Sequence, residues 1–147
     1  MGGEAEGKEA EAFQHDIQRS GLAGRVHHVP ECDNPVRIFS TCDAFALVSR
    51  EEPFGIVNLE AACFECPVLC FADAGGAPEF VEEDAGFVVP YLDVEAMAEK
   101  LLVLSQDEAL LVQMGKRAAE KVRERHDVNV VAPGILESMQ RVVSHPE

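Results

Sequence analysis

Basic residues are scarce: 12 Lys+Arg stand against 27 Asp+Glu in 147 residues, a formal net charge of −15. A field of that sign repels nucleic acid and anionic lipid, so neither is expected as a partner. Long apolar runs are missing as well. Ala44–Val48 and Val68–Ala72 are strand-sized, far below the roughly 20 residues of a membrane span. Residues 1–10 lack the apolar centre of a secretory signal, so a cytoplasmic chain is expected. There is no Asp-x-Asp pair at a strand end and no internal repeat, and no metal or other cofactor is expected.

Cysteine is present without a pattern. Cys32, Cys42, Cys63, Cys66 and Cys70 are odd in number and irregular in spacing, which suits reduced thiols better than a disulfide framework. Cys63-Phe64-Glu65-Cys66 has the spacing of a redox or zinc pair, but it stands where a helix should end before Pro67. A helix C-terminus does not lower a thiol pKa, so small buried side chains are the better reading.

What the chain does have is the content of a globular protein: 47% apolar and 27% charged residues, with mean hydropathy −0.03. Residues 1–8 read as a flexible N-terminal segment and 9–147 as a single domain. Glu9 to Leu22 has helical spacing, and Arg25 to Val29 is a short strand candidate ended by Pro30. Asn34 and Pro35 open a short helix that turns Ile38 and Phe39 inward. Ala44 to Val48 is apolar throughout, as expected of the central strand of a parallel sheet. A helix from Pro53 to Glu65, a strand over 67–72, a loop at Asp73-Ala74-Gly75-Gly76, a short helix over 77–82 and a strand over 87–90 follow. Asp93 caps the next helix, Ser105-x-x-Glu108 has capping-box spacing for another, and Asp127 opens a last segment containing Pro133. Alternation of strands and helices implies an α/β fold, a Rossmann-like parallel sheet with flanking helices.

The chemistry is concentrated between Ser49 and Ala62, where the expected central strand runs into a helix. Ligands of parallel sheets gather at carboxyl ends of strands. With Pro53 in the first helical position, the amides of Phe54, Gly55 and Ile56 would be open to an anion, and Gly55 would allow close approach. Glu52 either caps those amides or meets a ligand. Glu60 has Ile56, Cys63 and Phe64 as helical neighbours, which puts it on an apolar face. A buried carboxylate costs several kcal/mol unless hydrogen-bonded, so a protein donor or a ligand hydroxyl should meet it. Eight helical steps separate the two acids by about 12 Å at ~1.5 Å per residue, too far for a glycosidase pair. Two carboxylates flanking a helix end could instead grip hydroxyls on either side of a diphosphate.

Glu52-Pro53-Phe54-Gly55, Glu60-Ala61, Pro67-Val68 and Gly75-Gly76-x-Pro78-Glu79 occur in the order found in retaining GT-B glycosyltransferases of family 4, the glycosyl transferases group 1. Asp43, Gly86 and Met114-Gly115 extend the similarity, which resembles that family's C-terminal donor-binding domain. The resemblance implies transfer of a sugar from a nucleotide-sugar with retention of anomeric configuration, by a front-face mechanism without a covalent nucleophile. It implies that Glu52 binds the donor sugar near the reacting centre, that Glu60 binds the ribose, and that Phe54, Gly55 and Ile56 bind the diphosphate. Gly75 and Gly76 would lie near the donor, or form a plain strand-to-helix turn.

The same resemblance implies departures. Gly2-Gly3 is similar to a turn after the family's second strand, so the chain is expected to be N-terminally truncated, without the Arg/Lys pair that neutralises the diphosphate. Arg50 is the cation beside the motif and Lys8 the one near the Gly turn; neither matches that pair. Glu65 replaces a usual Gly, and His28 and Pro30 a usual aromatic and Gly; His27 and His28 read as strand side chains. Without an acceptor domain the chain alone is expected to lack transfer activity. A non-catalytic nucleotide-sugar-binding or self-association module is the alternative, and an epimerase-type GT-B relative a more distant one. Unpaired strand edges make a homo-oligomer an expectation too.

Overall fold

The computed structural model describes residues 3–29 and 34–144. Cys32, Pro30 and Gly2 lie outside the described residues, as does the side chain of Lys8. The chain divides into two compact units, Met1–Pro35 and Val36–Glu147, so the boundary falls after Pro35 rather than after residue 8.

In the first unit α1 spans Gly3–Arg19 and starts inside the stretch read as flexible. It ends where Ser20 turns its hydroxyl onto the Asp16 carbonyl at 2.8 Å and Gly21 takes φ 71°. The strand expected over Arg25 to Val29 does not form. The Arg25 and Val26 amides both bond back to the Leu22 carbonyl, at 2.9 and 3.2 Å, leaving one isolated bridge between Ala23 and Val26. These amides close a turn instead of extending to a neighbouring strand.

The second unit holds α2 (Val36–Phe39), β1 (Phe45–Leu47), α3 (Ile56–Ala62), β2 (Val68–Phe71), α4 (Ala77–Val81) and β3 (Gly86–Val89). Three further helices follow: α5 (Val94–Gln106), α6 (Glu108–Arg125) and α7 (Val128–Ser144). The strands are parallel in the order β1-β2-β3, with Phe45 opposite Val68 and Val68 opposite Gly86. The central strand is therefore β2, buried at all four residues, and β1 is an edge of the described sheet. Val48, just past β1, is 65% exposed, so apolar composition alone misplaced this strand.

Alternation along β2 sends its side chains into two cores. Val68 and Cys70 pack with Ala62, Phe80, Val81 and Ala118, while Leu69 and Phe71 pack with Val89, Met97, Leu104 and Met114. Helix α6 approaches the α3–β2 turn so closely that a Cβ on Gly115 would collide with the Glu65 carbonyl. Glu65 itself is in the left-handed region at φ 59°. Asp93 caps α5 as expected, accepting from the Ala96 amide at 2.9 Å. The cap of α6 is Asp107, whose carboxylate takes the Leu110 amide at 2.9 Å, and not Ser105. Ser105 is still in the last turn of α5, with its hydroxyl on the Leu102 carbonyl.

Candidate functional site

Helix α3 starts later than Pro53 suggested. Its first residue is Ile56, and Gly55 precedes it as the N-cap with φ 74° and ψ 68°. Residues 52–55 therefore form a turn, and Glu52 and Glu60 are not eight helical steps apart. The Glu52 carboxylate reaches back to the Gly55 amide at 3.2 Å, so this acid does cap the turn and occupies one of the three amides expected to be open. Ile56 and Val57, the first two helical residues, have no intrahelical acceptor for their N–H groups, and Gly55 offers no side-chain cap.

The face of α3 is rotated relative to the expectation. Asn58, Ala61 and Ala62 are buried, whereas Ile56 is 70% exposed and Glu60 and Cys63 are exposed. Two adjacent alanines let the helix axis approach the sheet and α6, and the larger Ile56 and Phe64 are left outside. Glu60 thus pays no burial penalty, and the argument that burial forces a partner onto it fails. It shares a solvent-facing stripe with Ile56, one turn along from the helix start.

Glu52 is half-buried, and its backbone is stitched to the loop after β2. The Glu52 amide donates to the Ala74 carbonyl at 2.8 Å, the Gly76 amide donates to the Pro53 carbonyl at 3.1 Å, and Glu52 and Gly75 form a parallel bridge. Gly75, at φ 137°, lies against the Glu52 carbonyl with no room for a Cβ; a Cβ on Gly76 would stand 2.9 Å from both Phe54 Cδ2 and Pro53 O. Both glycines are demanded by this backbone approach, more than a plain turn would require. The structure therefore brings Glu52, Phe54, Gly55, Gly75 and Gly76 together at the carboxyl ends of β1 and β2.

Tyr91, after β3, joins the same edge by donating to the Arg50 carbonyl at 3.3 Å. A cleft of about 420 Å³ beside it is lined by Val48, Arg50, Phe71, Leu92, Val94 and Met97. A larger cleft of about 690 Å³, lined by Asp43, Leu104 and Glu108 among others, sits at the opposite end of β1, away from the strand ends where ligands gather.

Sequence reasoning missed three residues that support the site. His126, the C-cap of α6, places its ring 5.5 Å from Phe54 and 5.8 Å from Phe80. Burial, and then the neighbouring Arg125 charge, hold its pKa below 6.5. Lys121 is fully buried and donates to the Phe80 and Val81 carbonyls at 3.1 and 3.0 Å and to Glu82 at 2.8 Å, and also pairs with Asp84. Asn58 donates to the Phe54 carbonyl at 3.4 Å, and its buried Oδ1 has no partner. Histidine at a helix end, a lysine between Glu120 and Val122 and asparagine within a helix carry no distinctive spacing; their roles come from tertiary contacts.

Cys66 is buried with its Sγ on the Cys42 carbonyl at 3.1 Å, and burial, then Cys42 and Asp43, push its pKa up to about 11. Cys63 is exposed, against the buried reading. Among the described residues no group of three or more His, Cys, Asp or Glu could hold a metal ion, and no helix is long and apolar enough to cross a membrane.

With the loop pair and its glycines in place, comparison with known proteins is decisive. The family described as "Glycosyl transferases group 1" matches residues 1–121. The chain belongs to glycosyl transferases group 1. A group 1 chain of this kind is similar to the N-acetyl-alpha-D-glucosaminyl L-malate synthase of Bacillus anthracis, 35% identical over 111 residues, covering 74% of this chain and 29% of that protein. It is also similar to the Anabaena HepE protein solved with UDP: TM-score 0.85, 28% identity, 93% of this chain and 38% of that one. The C-terminal domain of a group 1 protein from Francisella tularensis has the same fold, at TM-score 0.71 and 21% identity over 82% of this chain and 64% of that one. The α/β sheet with flanking helices is thus that of a GT-B C-terminal domain. The chain spans about a third of the length of the Bacillus and Anabaena relatives.

Proposed function

We propose that the second unit is a nucleotide-sugar donor-binding domain of a retaining, family 4-type glycosyltransferase. The observation that carries this is the stitched pair of loops at the carboxyl ends of β1 and β2, which holds Glu52 beside Gly75 and Gly76 in a chain of this family. In this reading the Ile56 and Val57 amides, which lack an intrahelical acceptor, and the backbone at Phe54 face the diphosphate, beside the Gly55 amide that Glu52 occupies. Glu60, on the same stripe as Ile56, takes the ribose hydroxyls, and Glu52 takes the sugar. Retention in a single displacement requires that the acceptor oxygen attack the anomeric carbon on the face from which the nucleoside diphosphate departs. The acceptor proton then passes to a leaving phosphate oxygen, and neither a metal nor a covalent enzyme intermediate takes part.

Transfer also needs an acceptor site, and the isolated chain is expected to bind donor without turning it over. Four described free cysteines support a reducing, cytoplasmic setting. Calorimetry with UDP-glucose, GDP-mannose and ADP-glucose tests the reading. At least one should bind, and Glu60→Ala should weaken it by about tenfold, the worth of a hydrogen bond to a charged group. Absence of binding to all three would remove the donor reading. The edge position of β1 favours a second reading, a self-association module, which sedimentation would reveal as a mass that grows with protein concentration.

A further inference from the structure

The donor loop has an anchor outside the motif that defines it. The Phe54 ring leaves the 52–55 turn and lies close to both Gly76 and the His126 imidazole. His126 is fixed to α6 by its own amide, which donates to the Val122 carbonyl at 2.9 Å. One turn earlier on the same helix, Lys121 holds the Phe80 and Val81 carbonyls at the end of α4, and Phe80 is the second ring against His126. A contiguous path therefore runs from α6 through His126 and Phe54 to the Pro53–Gly76 hydrogen bond and the Glu52–Gly55 turn.

Resting on the donor reading above, we propose that His126 is a positioning residue. Its ring, wedged between Phe54 and Phe80, holds the Glu52–Gly55 turn in the register that presents Glu52 and the first α3 amides to the donor. It touches no reacting atom and acts through Phe54. A ring is what the slot takes: an aromatic side chain at 126 should preserve the wedge, whereas a small one should free the Phe54 ring and loosen the turn behind it.

The test has a ligand-free arm and a ligand arm. In amide hydrogen exchange on the full chain, His126→Ala should speed exchange of the Gly55 and Gly76 amides by about tenfold while the Leu69 and Cys70 amides of β2 stay protected. His126→Phe should keep wild-type protection. In calorimetry with UDP-glucose and GDP-mannose, affinity should fall about tenfold in His126→Ala and return in His126→Phe. The double variant Phe54→Ala/His126→Ala should be no weaker than Phe54→Ala alone, because both changes break one path. Unchanged exchange at Gly55 and Gly76, or losses that multiply in the double variant, would overturn the assignment. If UDP-glucose, GDP-mannose and ADP-glucose all fail to bind the wild type, the donor reading fails by itself and the exchange pattern still decides the role of His126. Should His126→Ala not fold, His126→Leu carries the exchange test: with no ring against Phe54, exchange at Gly55 and Gly76 should still speed up, and unchanged exchange there would overturn the assignment.

Discussion

At Gly75 the neighbouring Glu52 carbonyl occupies the space a side chain would need, and φ 137° is a conformation that L-residues avoid. Gly75→Ala must therefore either push the two loops apart or strain the backbone. A loss of roughly 3 kcal/mol in urea unfolding is expected, together with loss of donor binding, since the bridge to Glu52 is what breaks. Ordinary stability with intact binding would show that the two loops need not touch. Glu65 presents the opposite situation. It sits at φ 59° with a side chain where the family resemblance puts glycine, so Glu65→Gly should raise stability by about 0.5–1 kcal/mol, read as a higher urea midpoint with an unchanged slope. The two positions flank β2 at its opposite ends, yet the same substitution logic runs in opposite directions because only one of them already carries a side chain.

Between elements, the turn after α4 is held to α6 by charges. Arg125 donates to Glu82 at 2.6 Å, Lys121 at 2.8 Å, and Arg117 reaches Asp84 at 2.9 Å. The Arg125 and then the Lys121 hydrogen bonds draw the Glu82 pKa down from 4.5 to about 2. For Asp84, burial pushes upward, but hydrogen bonds from Lys121 and Arg117 win and the net shift is down. A depressed carboxylate pKa means that the unfolded chain takes up protons first. The stability contributed by Glu82 is then complete above about pH 4.5 and is lost as pH falls towards 2. Melting temperature against pH should fall over that window in the wild type and fall less steeply in Glu82→Gln; parallel profiles would mean that the pair is not populated in solution. His126 adds a loss of the same sign beginning nearer pH 6.5, because burial disfavours its charged form.

At the same scale, legibility differed by element. The order of strands and helices from β1 onward could be read because apolar runs and loop glycines mark it, and Asp93 was recognisable as a cap because its carboxylate acts locally. What could not be read was decided by neighbours. Strand β1 has the composition of a central strand and an edge position, and the segment near Val26 found its hydrogen bonds in a turn. The inward face of α3 was set by the small Ala61 and Ala62, which a pattern of large apolar residues hides. For the site, the acids and glycines of the loops were visible as a motif, whereas the contribution of Glu52 to its own turn, the exposure of Glu60 and the wedge at His126 required coordinates.

The whole molecule sets a condition on any anionic ligand. With a formal charge of −15, the summed field opposes a diphosphate wherever it docks, and Arg50 is the cation next to the loop pair. Two regimes give opposite salt dependences. If backbone amides seat the phosphates, salt mainly screens the repulsion, which reaches about 30 Å at 0.01 M and about 8 Å at 0.15 M. Affinity for UDP-glucose should then rise over that range, by about two- to threefold. If Arg50 seats them, screening weakens a close attraction and affinity should fall. The exposed side chain of Arg50 and the Ile56 and Val57 amides at the start of α3, which lack an intrahelical acceptor, favour the first regime. Calorimetry at the two salt concentrations, repeated with Arg50→Gln, distinguishes them: the rise should persist in the variant. The same screening would ease pairing of two β1 edges, so the measurement belongs at a protein concentration where sedimentation gives a single mass; a rise that vanishes on dilution reports association and not the donor site.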